Sequence, residues 1–135
     1  MKKRNLLLVI AVTLCSIGFS QNGKFPVKIF IGNTRCGENE EIEISRNQLL
    51  KESKLTIIVG EKDTISKMSF TMQTTQGKNL TERISANNNL FTTRMIACIQ
   101  NKDENTKAKK IWVENIQIET SEGIRRLPMF TIIIK

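Results

Sequence analysis

The chain has 135 residues, a formal charge of +8, no histidine and no tyrosine. That length carries one domain with its own core and is short for two. The missing histidine removes the commonest general base, the commonest metal ligand and every Ser–His or Cys–His pair, which argues against hydrolytic triads and zinc centres.

At the start, Lys2, Lys3 and Arg4 precede a segment from Leu6 to Cys15 that is apolar except for Thr13, and small residues follow around Gly18 and Ser20. A charged start, an apolar middle and a small-residue end are the three parts of a secretory signal peptide. They predict a leader over residues 1–20, cleavage after Ser20, and a single mature domain over 21–135. The apolar stretch is shorter than the roughly 20 residues that cross a bilayer, so no stable membrane span is expected after cleavage. Leu14 stands where lipoprotein processing before Cys15 would want a small residue. No acidic residue precedes Glu38, as suits a bacterial export signal. The expected location is periplasmic or secreted.

Export changes the reading of charge and cysteine. Three of the positive charges belong to the leader, which leaves the mature domain at +5. The surplus favours solubility and anionic surfaces without naming a partner. Basic residues are dispersed, with Lys107, Lys109 and Lys110 the one dense cluster and Arg125–Arg126 a looser second. With one tryptophan to interleave, nucleic acid is not an expected partner. Cleavage leaves Cys36 and Cys98, which can pair in an oxidising compartment. The competing reading makes Cys98 a small core residue and Cys36 a loop thiol; sequence does not show whether they approach.

The mature chain then reads as short strands. FPVKIFI puts Val27, Ile29 and Ile31 on one face, EEIEI points Ile42 and Ile44 inward, KLTIIVG aligns Leu55, Ile57 and Val59, and KMSFTMQ aligns Met68, Phe70 and Met72. This period of two marks half-buried strands, and polar opposite faces imply antiparallel sheets wet on one side. Turn-rich stretches such as GNTRCGEN and SANNN separate them. Between the second and third strands, SRNQLLKES predicts a short helical turn capped by Ser45. In LFTTRMIACIQN, Phe91, Met95, Cys98 and Ile99 share one helical stripe, predicting a two-turn helix capped by Thr92 or Thr93, with a strand as the alternative.

Toward the end, Ile111 and Val113 share one parity and Ile116 and Ile118 the other, which predicts a bulge near Glu114 and Asn115. Gly123 supplies a positive φ in the turn TSEGI. Pro128 belongs at a strand entrance or an edge. The run MFTIIIK places Phe130, Ile132 and Ile134 on one face and Met129 and Ile133 on the other, a strand covered at least partly on both sides. Left bare, such a run would invite aggregation. The expected fold is mainly β: an antiparallel β-sandwich, Ig-like or similar, with one or two short helices.

The 13 acidic residues fall mostly at outward or turn positions, and no pair is marked for acid–base work. Two cysteines without histidine do not make a zinc site, and the glycines are single turn residues rather than a phosphate loop. No cofactor, metal or catalytic residue is expected.

The stretch from about residue 40 to 135 resembles the carboxy-terminal domain of the gliding-motility protein GldM, also called PorM, of the type IX secretion machinery. The features that carry the resemblance are the strand with Ser69–Phe70, Gly77, the Phe91-to-Ile99 segment, a lysine-rich turn, and the strand IWVENI. The Glu122–Gly123 turn follows, then Arg125-Arg126-Leu127-Pro128 before an apolar strand. The resemblance implies a sandwich-like fold that acts by contact and not by catalysis, as an envelope component. The cleavable leader in place of a retained anchor departs from that family's design. Contact residues are expected at Trp112, Arg125 and Arg126, because Arg and Trp are enriched at interface hot spots. The competing reading puts Trp112 in the core and the arginines in water. A cell-envelope protein is the expected partner, and the oligomeric state is not legible. The alternative function is a small-molecule or glycan-binding module, or an inhibitor, with a pocket between the sheets. Intact-mass and amino-terminal sequencing of the exported protein should read Gln21 as the first residue; a chain that retains residues 1–20 refutes the leader.

Overall fold

A computed structural model of the chain describes residues 27–60 and 64–135; the leader and its cleavage point lie outside them. The expected β architecture is present, as a three-stranded and a seven-stranded sheet sharing one apolar cluster, with two short helices. In chain order the elements are β1 (Val27–Ile31), β2 (Thr34–Arg35), β3 (Glu41–Ile44), α1 (Arg46–Glu52), β4 (Thr56–Val59), β5 (Lys67–Gln76), β6 (Asn79–Leu80), β7 (Ile84–Ala86), α2 (Thr93–Gln100), β8 (Lys110–Thr120), β9 (Gly123–Leu127) and β10 (Phe130–Ile134). The small sheet runs β2-β1-β4 and the large one β3-β10-β8-β5-β6, with β7 also on β5 and β9 also on β8. All pairs are antiparallel except β3 with β10, which is parallel. That pair departs from the all-antiparallel expectation because α1 and the elements after it separate two strands that end side by side.

Both helices start where the sequence places their caps. Ser45 Oγ accepts from the Gln48 N–H and Thr92 Oγ1 from the Met95 N–H, each satisfying an orphan donor of a first turn. Leu49 of α1 and Met95 and Ile99 of α2 are buried. Arg46 ties these parts together: its two terminal nitrogens donate to the carbonyls of Ile99 and Ala108, both at 2.8 Å. One guanidinium therefore holds the last turn of α2 and the segment that enters β8, and its charge complements the negative helix end. Phe70 and Phe91 meet with ring centroids 6.0 Å apart, joining β5 to the approach of α2.

The long strand β8 carries the predicted bulge. Ser69 pairs Gln117 but Thr71 pairs Glu114, so β8 spends one residue more than β5 over that interval. Asn115 sits there with φ +50°, a conformation Asn tolerates better than most residues because its short amide can bond locally. On one side of it Ile111 and Val113 are buried; on the other Ile116, Ile118 and Thr120 are. The surplus residue restores the inward phase. Across the hairpin, β9 and β10 keep a common register with β8, Leu127 opposite Ile116 and Phe130 opposite Val113. Pro128 and Met129 thus lie opposite Glu114 and Asn115, and both arms of the hairpin change phase together. Pro128 stands at the entrance of β10, where its missing N–H breaks no ladder.

The isoleucine-rich run is interior to the sheet, with β3 on one side and β8 on the other. Phe130, Ile132 and Ile134 are buried and Ile133 half-buried. Met129 corrects the expected pattern: it lies in the link before β10 and is 47% exposed. Gly123 turns with φ +114° and Gly77, at φ +67°, would set a Cβ 3.0 Å from the Asn105 carbonyl oxygen.

Two outcomes test these features. Arg46→Ala should lower unfolding stability by about 2–3 kcal/mol in urea titration, because both bonds carry the guanidinium charge. Asn115→Gly should leave stability equal or higher, while Asn115→Val loses about 1–2 kcal/mol at its left-handed position.

Candidate functional site

Strand alternation assigns β8 side chains to two faces. Lys110, Trp112 and Glu114 lie on the outer face of the large sheet, opposite in phase to the buried Ile111 and Val113. Trp112 is half-buried there, in register with Gln73 of β5 and Thr131 of β10. Lys110 Nζ lies over its ring, 5.4 Å from the centroid, within cation–π range. The tryptophan is therefore a surface feature and not a core residue.

Past the bulge the outer face continues with Gln117 and Glu119. A groove of about 600 Å³ crosses it at that point, lined by Ser69 and Thr71 of β5, Ser85 of β7, Asn115 and Gln117 of β8, and Arg126 among others. Thr71 Oγ1 and Ser85 Oγ stand 3.5 Å apart across its floor. Glu114 lines it too, its carboxylate 3.1 Å from Arg83 Nε. The Arg83 side chain is largely in water, so this pair orients Glu114 more than it stabilises the fold.

The structure separates the two adjacent arginines. Arg126 pairs Gln117, so it shares the outer face and the groove. Arg125 pairs Ile118, whose side chain is in the core, and its Nε is shielded from solvent. Of the three expected contact residues, Arg126 reaches the groove, Trp112 flanks the same face, and Arg125 turns to the other side.

Sequence reasoning missed Ile124. It pairs Glu119 on the outer face and is 62% exposed, the most exposed of the large apolar side chains among the described residues. Its isolation between Gly123 and the arginines is the signal that could have found it. Strand β9 has β8 on one side and no strand on the other among the described residues.

Cys36 and Cys98 are both free and half-buried, the first just after β2 and the second on α2. Burial pushes the Cys36 thiol up, Glu40 adds to the shift, and Arg35 offsets part of it. Among the described residues no three Cys, Asp or Glu side chains gather as a metal site, and no helix is long and apolar enough to cross a membrane.

No protein-family model matches the chain, and no match was found among curated proteins.

The raised Cys36 pKa implies a smaller thiolate fraction at neutral pH than a free cysteine has, since the protonated form is favoured. With Cys98 replaced by serine, iodoacetamide should alkylate Cys36 more slowly than glutathione at neutral pH, the gap closing as pH rises. Equal rates in the folded protein would contradict this.

Proposed function

We propose that this chain is a non-catalytic interaction domain of the bacterial cell envelope. On this reading its leader exports it to the periplasm or beyond, and it is related to the carboxy-terminal domain of the gliding and type IX secretion protein GldM. The leader residues and the IWVENI and Arg125-Arg126-Leu127-Pro128 segments support the placement. The observation that carries the contact role is the edge of β9 with Ile124 exposed on it. An open strand edge offers unpaired main-chain donors and acceptors to an extended partner, and a side chain beside it gives the contact its selectivity. Ile124 supplies apolar area, Arg126 a charge-bearing fork, and Trp112 a flanking aromatic surface.

The outer-face groove favours one second reading, a small polar ligand such as a glycan, because hydroxyl and amide side chains line it.

A photoreactive residue at position 124, introduced in living cells, should yield a discrete adduct with one envelope protein, a second copy of this chain included. The same residue at Lys102, exposed in the loop after α2, should not. Identical adduct patterns at the two positions would sink the edge reading. Saturable glycan binding that Gln117→Ala removes, with no adduct at 124, moves the role to the groove.

A further inference from the structure

The groove on the outer face crosses strands instead of following one. From β7 over β5 and β8 to β9 it spans three strand spacings, about 14 Å in all. Strand register sets two rows of side chains in it. One is Ser85, Thr71 and Glu114; the other is Ser69, Gln117 and Arg126. Both β5 and β8 have a strand on either side, so ladder bonds engage their main-chain groups and the groove offers side chains. An extended peptide, which binds by main-chain bonds at an edge, is poorly served there. A carbohydrate, with hydroxyls along its whole length, is well served.

Several of these groups have bonding capacity that the fold does not use. Thr71 is 7% exposed, and its hydroxyl meets Ser85 Oγ at 3.5 Å, beyond the roughly 2.5–3.0 Å of a well-formed O–H···O bond. A hydroxyl so buried is costly to leave underbonded, and a ligand hydroxyl set over both oxygens completes them. The side chains of Gln117 and Arg126 bond to no partner among the described residues. Charge varies along the groove as well. Glu114 already has Arg83 Nε at 3.1 Å, whereas Arg126 faces no carboxylate, so the β9 end carries the surplus positive charge. A guanidinium offers paired N–H donors in the geometry of a carboxylate.

We propose that the groove binds a short acidic glycan, its hydroxyls on Thr71, Ser85 and Gln117 and a sugar carboxylate on Arg126. The proposal rests on the reading of the groove as a polar ligand site and names the ligand's class. Its volume of about 600 Å³ suits a short oligosaccharide. It makes no use of the β9 edge.

Isothermal titration calorimetry of the purified chain tests this with trigalacturonate and with the same trimer reduced at its carboxyls to a neutral sugar. Wild type should bind the acidic trimer saturably and the neutral one about tenfold or more weakly, the factor expected of a hydrogen bond between charged groups. Arg126→Gln should bind both alike, at the neutral trimer's affinity. Thr71→Val and Gln117→Ala should each weaken both trimers and keep the acid preference. Far-UV circular dichroism matching wild type establishes which variants are folded, and Gln117→Ala stands in if Thr71→Val is not. An acid preference that survives Arg126→Gln, or affinities untouched in the folded groove variants, places the ligand elsewhere and overturns the site. Equal affinity of wild type for the two trimers, lost in Gln117→Ala, overturns the acidic class alone and leaves the groove reading. No binding of either trimer overturns the groove reading as well.

Discussion

One surplus residue in β8 decides which way every side chain beyond it points. A strand has a strict period of two, so Ile111 and Val113 on one side of Glu114–Asn115 would oppose Ile116 and Ile118 in orientation. The bulge absorbs the difference, and all four reach the core. Its counterpart is the Pro128–Met129 link, lying opposite in the hairpin. Because both arms shift phase at one level, β9 and β10 act as a single long partner strand with a joint. Met129 is turned outward at the same joint, and both it and Asn115 line the groove.

The helical part depends on a different connection. Helices of seven and eight residues are too short to persist alone. They last here because Leu49, Met95 and Ile99 enter the common core and Arg46 bonds to two carbonyls from distant segments. The buried isoleucine run obeys a related economy. With β3 and β10 paired in parallel, it forms an inner strand, and the residues most prone to pair with other chains are already paired at home. Among the described residues, what the large sheet leaves open beside β8 is β9, a shorter strand with two arginines.

The arginines show how far a sequence pair can mislead. Adjacent in the chain, they stand on opposite faces, so they cannot act as one basic patch. Arg126 shares its face with Ile124, Gln117 and the groove, while Arg125 sits over the side that leads to the core. Trp112 likewise has neighbours that only strand order could supply, Gln73 and Thr131 from segments far apart in sequence.

Much is legible in the sequence alone. The β class, both helices with their capping residues, the bulge at Glu114–Asn115 and the burial of Phe130, Ile132 and Ile134 all follow from periodicity and local chemistry, which act over a few residues. The parallel β3–β10 pair, the reach of Arg46 across 53 and 62 positions, the exposure of Ile124 and the open edge of β9 were not. Each is set by which distant strand arrives alongside, and a pattern of alternating side chains carries no label for its neighbour. The sequence by itself determined the inward phase of most strand residues, Met129 excepted; the tertiary structure alone decided which edges are open among the described residues, because an edge is defined by what arrives alongside it.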